Sequence, residues 1–277
     1  MLADYHVHTP YCGHAHGKVI QYVHSAISSG LHEIGFSDHL GRYYLSKSQK
    51  RRYWDWGMDE KNIGRYYSEL SDLQEIFSKE ISIKIGLEVD YIEGAEELLK
   101  PFIDSFKFDF ILCSIHCMPH FSWEHLSYFS KRTETLPLYK EYFRLARSAL
   151  HSPYCDSLAH LDFIWRNVSY PLSAHDNILQ EIAETVYTAA QLNRCIEINA
   201  NGYIWSRAHS SSEAFDPFMF LIDQIQLYNV PVTMGSDAHD PMMVGKAFED
   251  LVALLKSRNI CTVQLFSDRE PSSSEIG

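Results

Sequence analysis

The sequence predicts an α/β fold built on a parallel sheet, and three observations carry that expectation. Short apolar, β-rich runs alternate with longer runs of helical period along the whole chain, the pattern of strand–helix–strand units whose strands return parallel and right-handed. No Pro-, Gly- or Ser-rich linker and no repeat of solenoid period interrupts that rhythm. The 277 residues also suit one barrel-sized domain, since α/β barrels often run to roughly 200–250 residues.

Taken in order, strands are expected over 3–8, 33–37, 81–89, 108–115, 157–161, 195–199 and 231–235, with a weaker one over 262–266. Helices are expected over 19–29, 61–78, 95–106, 136–151, 174–192, 213–228 and 242–257. The first shows the logic: Val19, Ile20, Val23, Ala26 and Ile27 recur on one face at helical spacing. Residues 1–266 are read as one domain and the polar 267–277 as a frayed tail. One stretch breaks the rhythm. Residues 41–60 carry Tyr43, Tyr44, Tyr53, Trp54 and Trp56 among Lys47, Lys50, Arg51 and Arg52. That is long for a connection after a strand, and it is read as a lid packed by its own aromatics, or one that touches substrate.

Composition narrows the function. Acidic residues outnumber basic ones, 36 to 24, for a net charge of −12. This disfavours a general nucleic-acid binder and a polybasic membrane anchor. No apolar run approaches the 18 or so residues of a membrane span, and residues 1–6 lack the basic and apolar regions of a signal peptide. The six cysteines are scattered without a CxxC pair, so reduced thiols and a cytoplasmic location are expected. Cys113 and Cys117, flanking His116, are read as buried and inert rather than as ligands. Asn167-Val168-Ser169 matches a glycosylation pattern that no secretion signal supports.

Histidine is abundant, with 15 copies, and its placement matters more than its number. In an α/β barrel chemistry sits at the C-terminal ends of the strands. Strand one ends in His6 and His8, which alternation sets on one face together with Asp4. His14 follows in the next loop. Strand two ends in Asp38-His39, strand three carries Glu88, strand four ends in His116, strand five in His160, and strand seven in Asp237-Ala238-His239. Each alone is weak, but together they point to a metal site. Imidazole suits Zn, Fe and similar ions, and nine such ligands exceed one tetrahedral site, so two or three metals are expected. His16, His24, His32, His120, His125, His151 and His175 have no partners at ligand spacing and are read as surface or packing residues.

The order and spacing of these residues resemble the PHP family, named for polymerase and histidinol phosphatase, from about residue 3 to residue 250. The family's HxH corresponds to His6/His8, its DH to Asp38/His39, its Glu to Glu88, its isolated histidines to His116 and His160, and its DxH to Asp237/His239; its loop histidine corresponds to His14. The resemblance implies a distorted (β/α)7 barrel with a trinuclear site. His6, His8, Glu88 and Asp237 would hold one metal, His14, His39 and His239 a second, and Glu88, His116 and His160 a third, with Glu88 bridging. The metals vary in the family among zinc, iron and manganese. Residues 9–15, Thr-Pro-Tyr-Cys-Gly-His-Ala, look like the stand-alone histidinol-phosphatase branch. That branch implies a cytoplasmic hydrolase of histidine biosynthesis that splits L-histidinol phosphate with a metal-activated water.

In this reading Asp237 and His239 are catalytic as well as ligating, and Arg207 and Arg166 are candidates to grip the phosphate through their planar forks. An Arg in the matching loop of related phosphatases supports Arg207, and the neighbouring His209 is a weaker candidate for the leaving group. Asp4 and Asp38 could orient His6, His8 or His39, or hold turns. The residues leave the general acid open. Three rivals remain at this level: a PHP phosphoesterase for another small phosphate ester, a metal-loaded protein that binds a phospholigand without turnover, and a nuclease-like module serving a DNA polymerase. The expected partners are a small phosphate ester and, as an open option, further copies of the chain, with no nucleic acid and no membrane.

Overall fold

The computed structural model of the chain describes residues 1–118, 125–126, 135–209 and 216–277. Eight strands run parallel in one sheet: β1 (Ala3–Val7), β2 (Glu33–Phe36), β3 (His39–Leu40), β4 (Ser82–Asp90), β5 (Phe110–Ser114), β6 (Ser157–Leu158), β7 (Cys195–Asn199) and β8 (Val232–Gly235). Neighbours follow the order β1-β2-β4-β5-β6-β7-β8, with β3 also on β4. Both β2 and β3 keep one register on β4, Phe36 opposite Ile85 and His39 opposite Glu88. They are therefore one stave interrupted at Ser37 and Asp38, and the barrel has seven staves. The seam closes between Val7 and Ala238, where His8 N–H donates to Ala238 (2.9 Å) and Ala238 N–H to His6 (3.2 Å). This is the distorted (β/α)7 barrel expected.

Helices flank the strands. They are α1 (Val19–Ser28), α2 (Lys47–Arg52), α3 (Ile63–Ile76), α4 (Glu96–Ile103), α5 (Thr135–Leu150), α6 (Phe163–Asn167), α7 (His175–Leu192), α8 (Ala200–His209), α9 (Pro217–Tyr228) and α10 (Phe248–Ser257). Their ends have local causes. Asp216 caps α9 by accepting from Phe218 N–H (3.0 Å) and Met219 N–H (3.3 Å), Pro217 opens the helix, and left-handed Asn229 (φ 52°) closes it. The buried faces, such as Val19, Tyr22, Val23 and Ala26 on α1, join the strands' apolar side chains in one core. A separate, smaller cluster of Ala3, Tyr5, Phe110, Leu112, Ala159, Cys195 and Phe266 lies between the staves. Gly35 and Gly86 make room for it, since a Cβ at either would sit 2.8 or 2.6 Å from the Phe110 ring. No helix among the described residues is long and apolar enough to cross a membrane.

Three expectations are corrected. The weak strand at 262–266 does not join the parallel sheet: β9 (Thr262–Ser267) pairs antiparallel with β10 (Glu270–Glu275). The segment 267–277 is thus not a frayed tail. Asp268 and Arg269 (φ 51° and 66°) form the two-residue left-handed turn of a hairpin, and buried Ile276 anchors the end through its N–H on Cys261 O (2.9 Å). Serine-rich composition hid a strand held by its ladder, and Asp-Arg lacked the glycine that usually marks such a turn. Nor does strict alternation hold in β1. Its register shifts between Asp4 and Val7, so Tyr5 joins the interior cluster. The Asp4 carboxylate accepts from the backbone N–H groups of Ser236 (2.9 Å), Gly245 (3.0 Å) and His6 (3.2 Å), and among the described residues it bonds no imidazole ring.

Candidate metal centre

Parallel staves deliver their C-terminal ends to the same side of a barrel. All nine ligand-type residues read from the sequence lie there. His6 and His8 finish the first stave, His39 opens β3 directly opposite Glu88 of β4, and His116 and His160 follow β5 and β6 by two residues. Asp237 (φ 55°) and His239 follow β8. His14 arrives on the loop after the short turn Pro10–Cys12, which ends at left-handed Gly13 (φ 91°). His160 also turns through a positive φ, 20°, and this ends β6 sooner than the apolar run predicted.

Glu88 is the hub. Fully buried, its Oε2 lies 2.7 Å from His39 Nδ1, 3.2 Å from His6 Nε2 and 3.5 Å from His8 Nε2. Its Oε1 lies 2.9 Å from His160 Nε2 and 3.5 Å from His116 Nε2. Asp237 Oδ1 sits 3.3 Å from His8 Nε2 and 3.6 Å from His6 Nε2. The His8–His239 and His14–His239 rings stack at 4.0 and 4.7 Å. Ligand atoms within 4.8 Å of one another include the sets His6–His8–Asp237, His6–Glu88–His160 and His8–His39–His239.

The chemistry of these atoms tests whether a cation belongs among them. His14 Nδ1 faces Asp55 O (2.9 Å) and His239 Nδ1 faces Asp237 O (3.1 Å); a carbonyl only accepts, so both Nδ1 atoms carry the proton. His6 Nδ1 and His116 Nδ1 face the carboxylates of Glu197 (2.6 Å) and Asp90 (2.7 Å). All four rings therefore aim an Nε2 lone pair inward. His6 Nε2, His8 Nε2, His239 Nε2 and Glu88 Oε2 are buried there without a hydrogen-bond partner. His116 Nε2 and His160 Nε2 approach to 3.2 Å. Buried, converging lone pairs are costly unless something positive sits between them, so the donor set fits metal ions, and its N/O composition suits transition metals.

Burial favours the neutral carboxyl of Glu88, but His39, His6 and His116 outweigh it and hold its pKa well below the usual carboxylate range. Burial drives His8 well below ordinary imidazole, and His239 and His39 push it further the same way. His14 falls to about 4 by burial and by the same two neighbours. His8, His14 and Glu88 are thus in the ligand form a metal requires. At His6 burial is outweighed by the carboxylates of Glu197 and Glu88, and at His39 by that of Glu88; both pKa values rise, so a metal there displaces a proton.

The other candidates separate. Arg166 is at the site: its Nε donates to Asp162 Oδ2 (2.5 Å) and its Nη2 lies 4.0 Å from Asp237 Oδ2 without a hydrogen bond. Arg207 instead is exposed on the last turn of α8, and among the described residues it has no ion pair or hydrogen bond. Exposed His209 bonds Trp205 O (2.9 Å). Asp38 accepts from Thr9 N–H (2.7 Å) and from the Thr9 hydroxyl, and its Oδ1 lies 4.0 Å from His8 Nδ1. Burial pushes Asp38 up to about 7, against the pull of Thr9. Cys113 and Cys117 are both buried. His120 lies outside the described residues.

Several site residues escaped sequence reasoning. Asp90 shares a strand face with Glu88, two residues away, and this spacing could have found it. Glu197 is an acidic residue inside the apolar strand β7, itself a signal. His125 packs on Trp56 at 4.4 Å and on Phe163 at 5.6 Å, a contact that no spacing encodes. In the 41–60 segment, buried Arg42 donates to Trp54 O and Lys50 O (2.9 Å each) and fixes the loop. Trp56 then lies against His39 (5.3 Å) and parallel to His14 (6.2 Å), with its indole N–H 3.3 Å from Asp90 Oδ2. Trp54 is 67% exposed.

Comparison with known proteins agrees with this picture. The PHP domain family model matches residues 4–201. A Deinococcus radiodurans protein named "Probable histidinol-phosphatase" is 27% identical over 91% of both chains. The histidinol-phosphatase of Bacillus subtilis is 23% identical over 89% of this chain and 96% of its own length. The crystal structure of histidinol phosphate phosphatase from Lactococcus lactis, complexed with zinc, L-histidinol and phosphate, covers 98% of both chains at a TM-score of 0.74 and 23% identity, which is a likeness of fold. With a family model matched over more than half its length, and the family's motifs gathered at one end of the barrel, the chain belongs to the PHP domain family.

Proposed function

We propose that this chain is a metal-dependent phosphomonoesterase that hydrolyses L-histidinol phosphate to L-histidinol and phosphate. The observation that carries the reading is the convergence of nine His, Asp and Glu side chains on buried, unpartnered lone pairs. Relatives named for histidinol phosphatase, similar over nearly the whole chain, support the substrate. The ligands proposed are His6, His8, His14, His39, Glu88, His116, His160, Asp237 and His239, for two or three ions of zinc, iron or manganese. When bound, such ions polarise a phosphoryl oxygen and activate water.

The protein's own groups do the rest. His14, Asp237 and His239 are the partly exposed members of the set, while the others are buried. Substrate therefore approaches from their side, and this gives Asp237 and His239 their catalytic assignment. Arg166, held by Asp162 and with its Nη2 unpartnered, offers a charge-assisted contact to phosphate on that rim. Trp56 offers a flat face for an imidazole ring. The net charge of −12 favours a small-molecule substrate over nucleic acid, and the reading carries with it a cytoplasmic location.

The test is metal analysis followed by phosphate release. We expect kcat/KM for histidinol phosphate well above that for glycerol phosphate or an aryl phosphate, which lack the ammonium and imidazole. Equal turnover of all three would reduce the reading to a PHP phosphoesterase of another small ester.

A further inference from the structure

Behind the ligands, and touching no position proposed for substrate, lies a second acidic group. Glu197 in the middle of β7 is 1% exposed. Its Oε1 lies 2.6 Å from His6 Nδ1. Its Oε2 accepts from His160 N–H (2.7 Å) and from Asn199 Nδ2 (3.1 Å). Both Asn199 and His160 present donors, and His6 completes the set by donating from Nδ1. Gly235 on the adjoining strand β8 leaves the space: a Cβ there would lie 2.0 Å from Glu197 Oε1 and 2.5 Å from His6 Cβ. The barrel thus sacrifices a side chain on β8 to let this carboxylate reach β1.

We propose that Glu197 is a positioning residue that aligns two metal ligands at once, the His6 ring through its tautomer and the His160 ring through its backbone. Fixing the proton on His6 Nδ1 turns Nε2, as a lone pair, toward Glu88 Oε2 at 3.2 Å. Fixing the His160 amide holds the chain in its left-handed turn (φ 20°) and delivers His160 Nε2 to Glu88 Oε1 at 2.9 Å. The two rings end with centroids 5.3 Å apart, on either side of the hub. Carboxylates behind ligating histidines usually govern metal affinity, by about 10- to 100-fold. Here one group serves two rings from two strands. The amide of Gln cannot replace it, since one of its ends is a donor and would face a donor of His6 or His160.

This inference rests on the metal reading above, and zinc affinity measured by chelator competition separates the two. Wild type is expected to bind zinc and His6→Ala to bind it more weakly; no zinc binding by wild type would sink the metal reading itself. With wild type binding, folded Glu197→Gln is expected to lose about 10- to 100-fold in zinc affinity. Gly235→Ala keeps the charge but crowds both the carboxylate and the His6 Cβ, and should lose affinity in the same direction, so Glu197→Gln, which leaves His6 uncrowded, decides the role of the carboxylate. Thermal melting of the metal-free proteins reports the structural cost separately. Lower melting with unchanged zinc affinity in whichever variant folds would overturn the positioning role and leave Glu197 as a structural brace.

Discussion

Replacing Glu88 by Gln changes one oxygen to an NH2 and removes a charge at the point where five imidazoles come within 3.5 Å. Without metal the change removes the attraction between the ionised carboxylate and His39, His6 and His116. This loss is partly offset where the new amide donates to an Nε2 that lacked a partner, so the metal-free variant should melt somewhat below wild type. With metal the change is severe, because the one carboxylate that faces both His39–His6 and His160–His116 no longer carries charge. A ligand present at a thousandfold excess over its Kd stabilises a fold by about 4 kcal/mol. At roughly 2–4 °C per kcal/mol for a chain approaching this size, zinc should raise the melting temperature of wild type by roughly 8–16 °C. Glu88→Gln should lose most of that rise, hold less metal by elemental analysis, and turn over on the order of 100-fold more slowly. Calorimetry with and without zinc reads the first quantity directly. A variant that keeps full metal content and the full zinc-induced rise would refute the hub role assigned to Glu88.

Arg166→Gln should lower kcat/KM by about tenfold to 150-fold, the worth of a charge-assisted contact of roughly 1.5–3 kcal/mol, whereas exposed Arg207→Ala should stay within about twofold of wild type; the reverse ranking in steady-state kinetics would move the phosphate contact to α8. Trp56→Ala should narrow the preference for histidinol phosphate over an aryl phosphate, and Trp54→Ala should leave it unchanged, because only Trp56 lies against the ligand rings; equal narrowing by both would deny Trp56 a special place. Burial, with His39 and His239, holds His14 down to about 4, so in the metal-free protein its ring should be neutral at pH 6 and take up a proton only toward pH 4, a titration read from its ring-proton NMR signals. A midpoint near 6.5, where free imidazole titrates, would show that the site does not protect this ring.

Much of this was legible in the sequence because strand ends are local signals. The apolar runs ending in His6/His8, His116 and His160 mark where each stave stops, and parallel topology then brings distant stops to one rim. Three kinds of feature were not legible. The shift within β1 that leaves the Asp4 carboxylate on backbone amides rather than on the histidine rings depends on pairing to β2, which alternation ignores. That Arg207 rides the exposed last turn of a helix, α8, and that Arg166 on α6 comes within 4.0 Å of Asp237, could not be read from their distance after a strand. The β9–β10 hairpin is stabilised by its ladder and by the burial of Ile276 rather than by composition. The carboxylates behind the rings, Asp90 and Glu197, fell between these cases: charge inside a buried strand announces a role, while the partner can be named only when the neighbouring strands are in place.

The seam of the barrel differs from its other joins. The staves elsewhere are joined by ladders of two to five paired residues, such as the four matched pairs of β7 and β8. The first and last staves meet through the Val7–Ala238 bridge, with ligand-type residues on both sides of it, His6 and His8 on one strand and Asp237 and His239 on the other. An ion shared by His6, His8 and Asp237 would lie across this join like a rivet. Amide hydrogen exchange at His8 and Ala238 would then be slow in the loaded protein and fast after chelation, while the β7–β8 amides barely change. Losing the ion would then loosen the barrel first along this one join, whose backbone hydrogen bonds would be left to hold it alone.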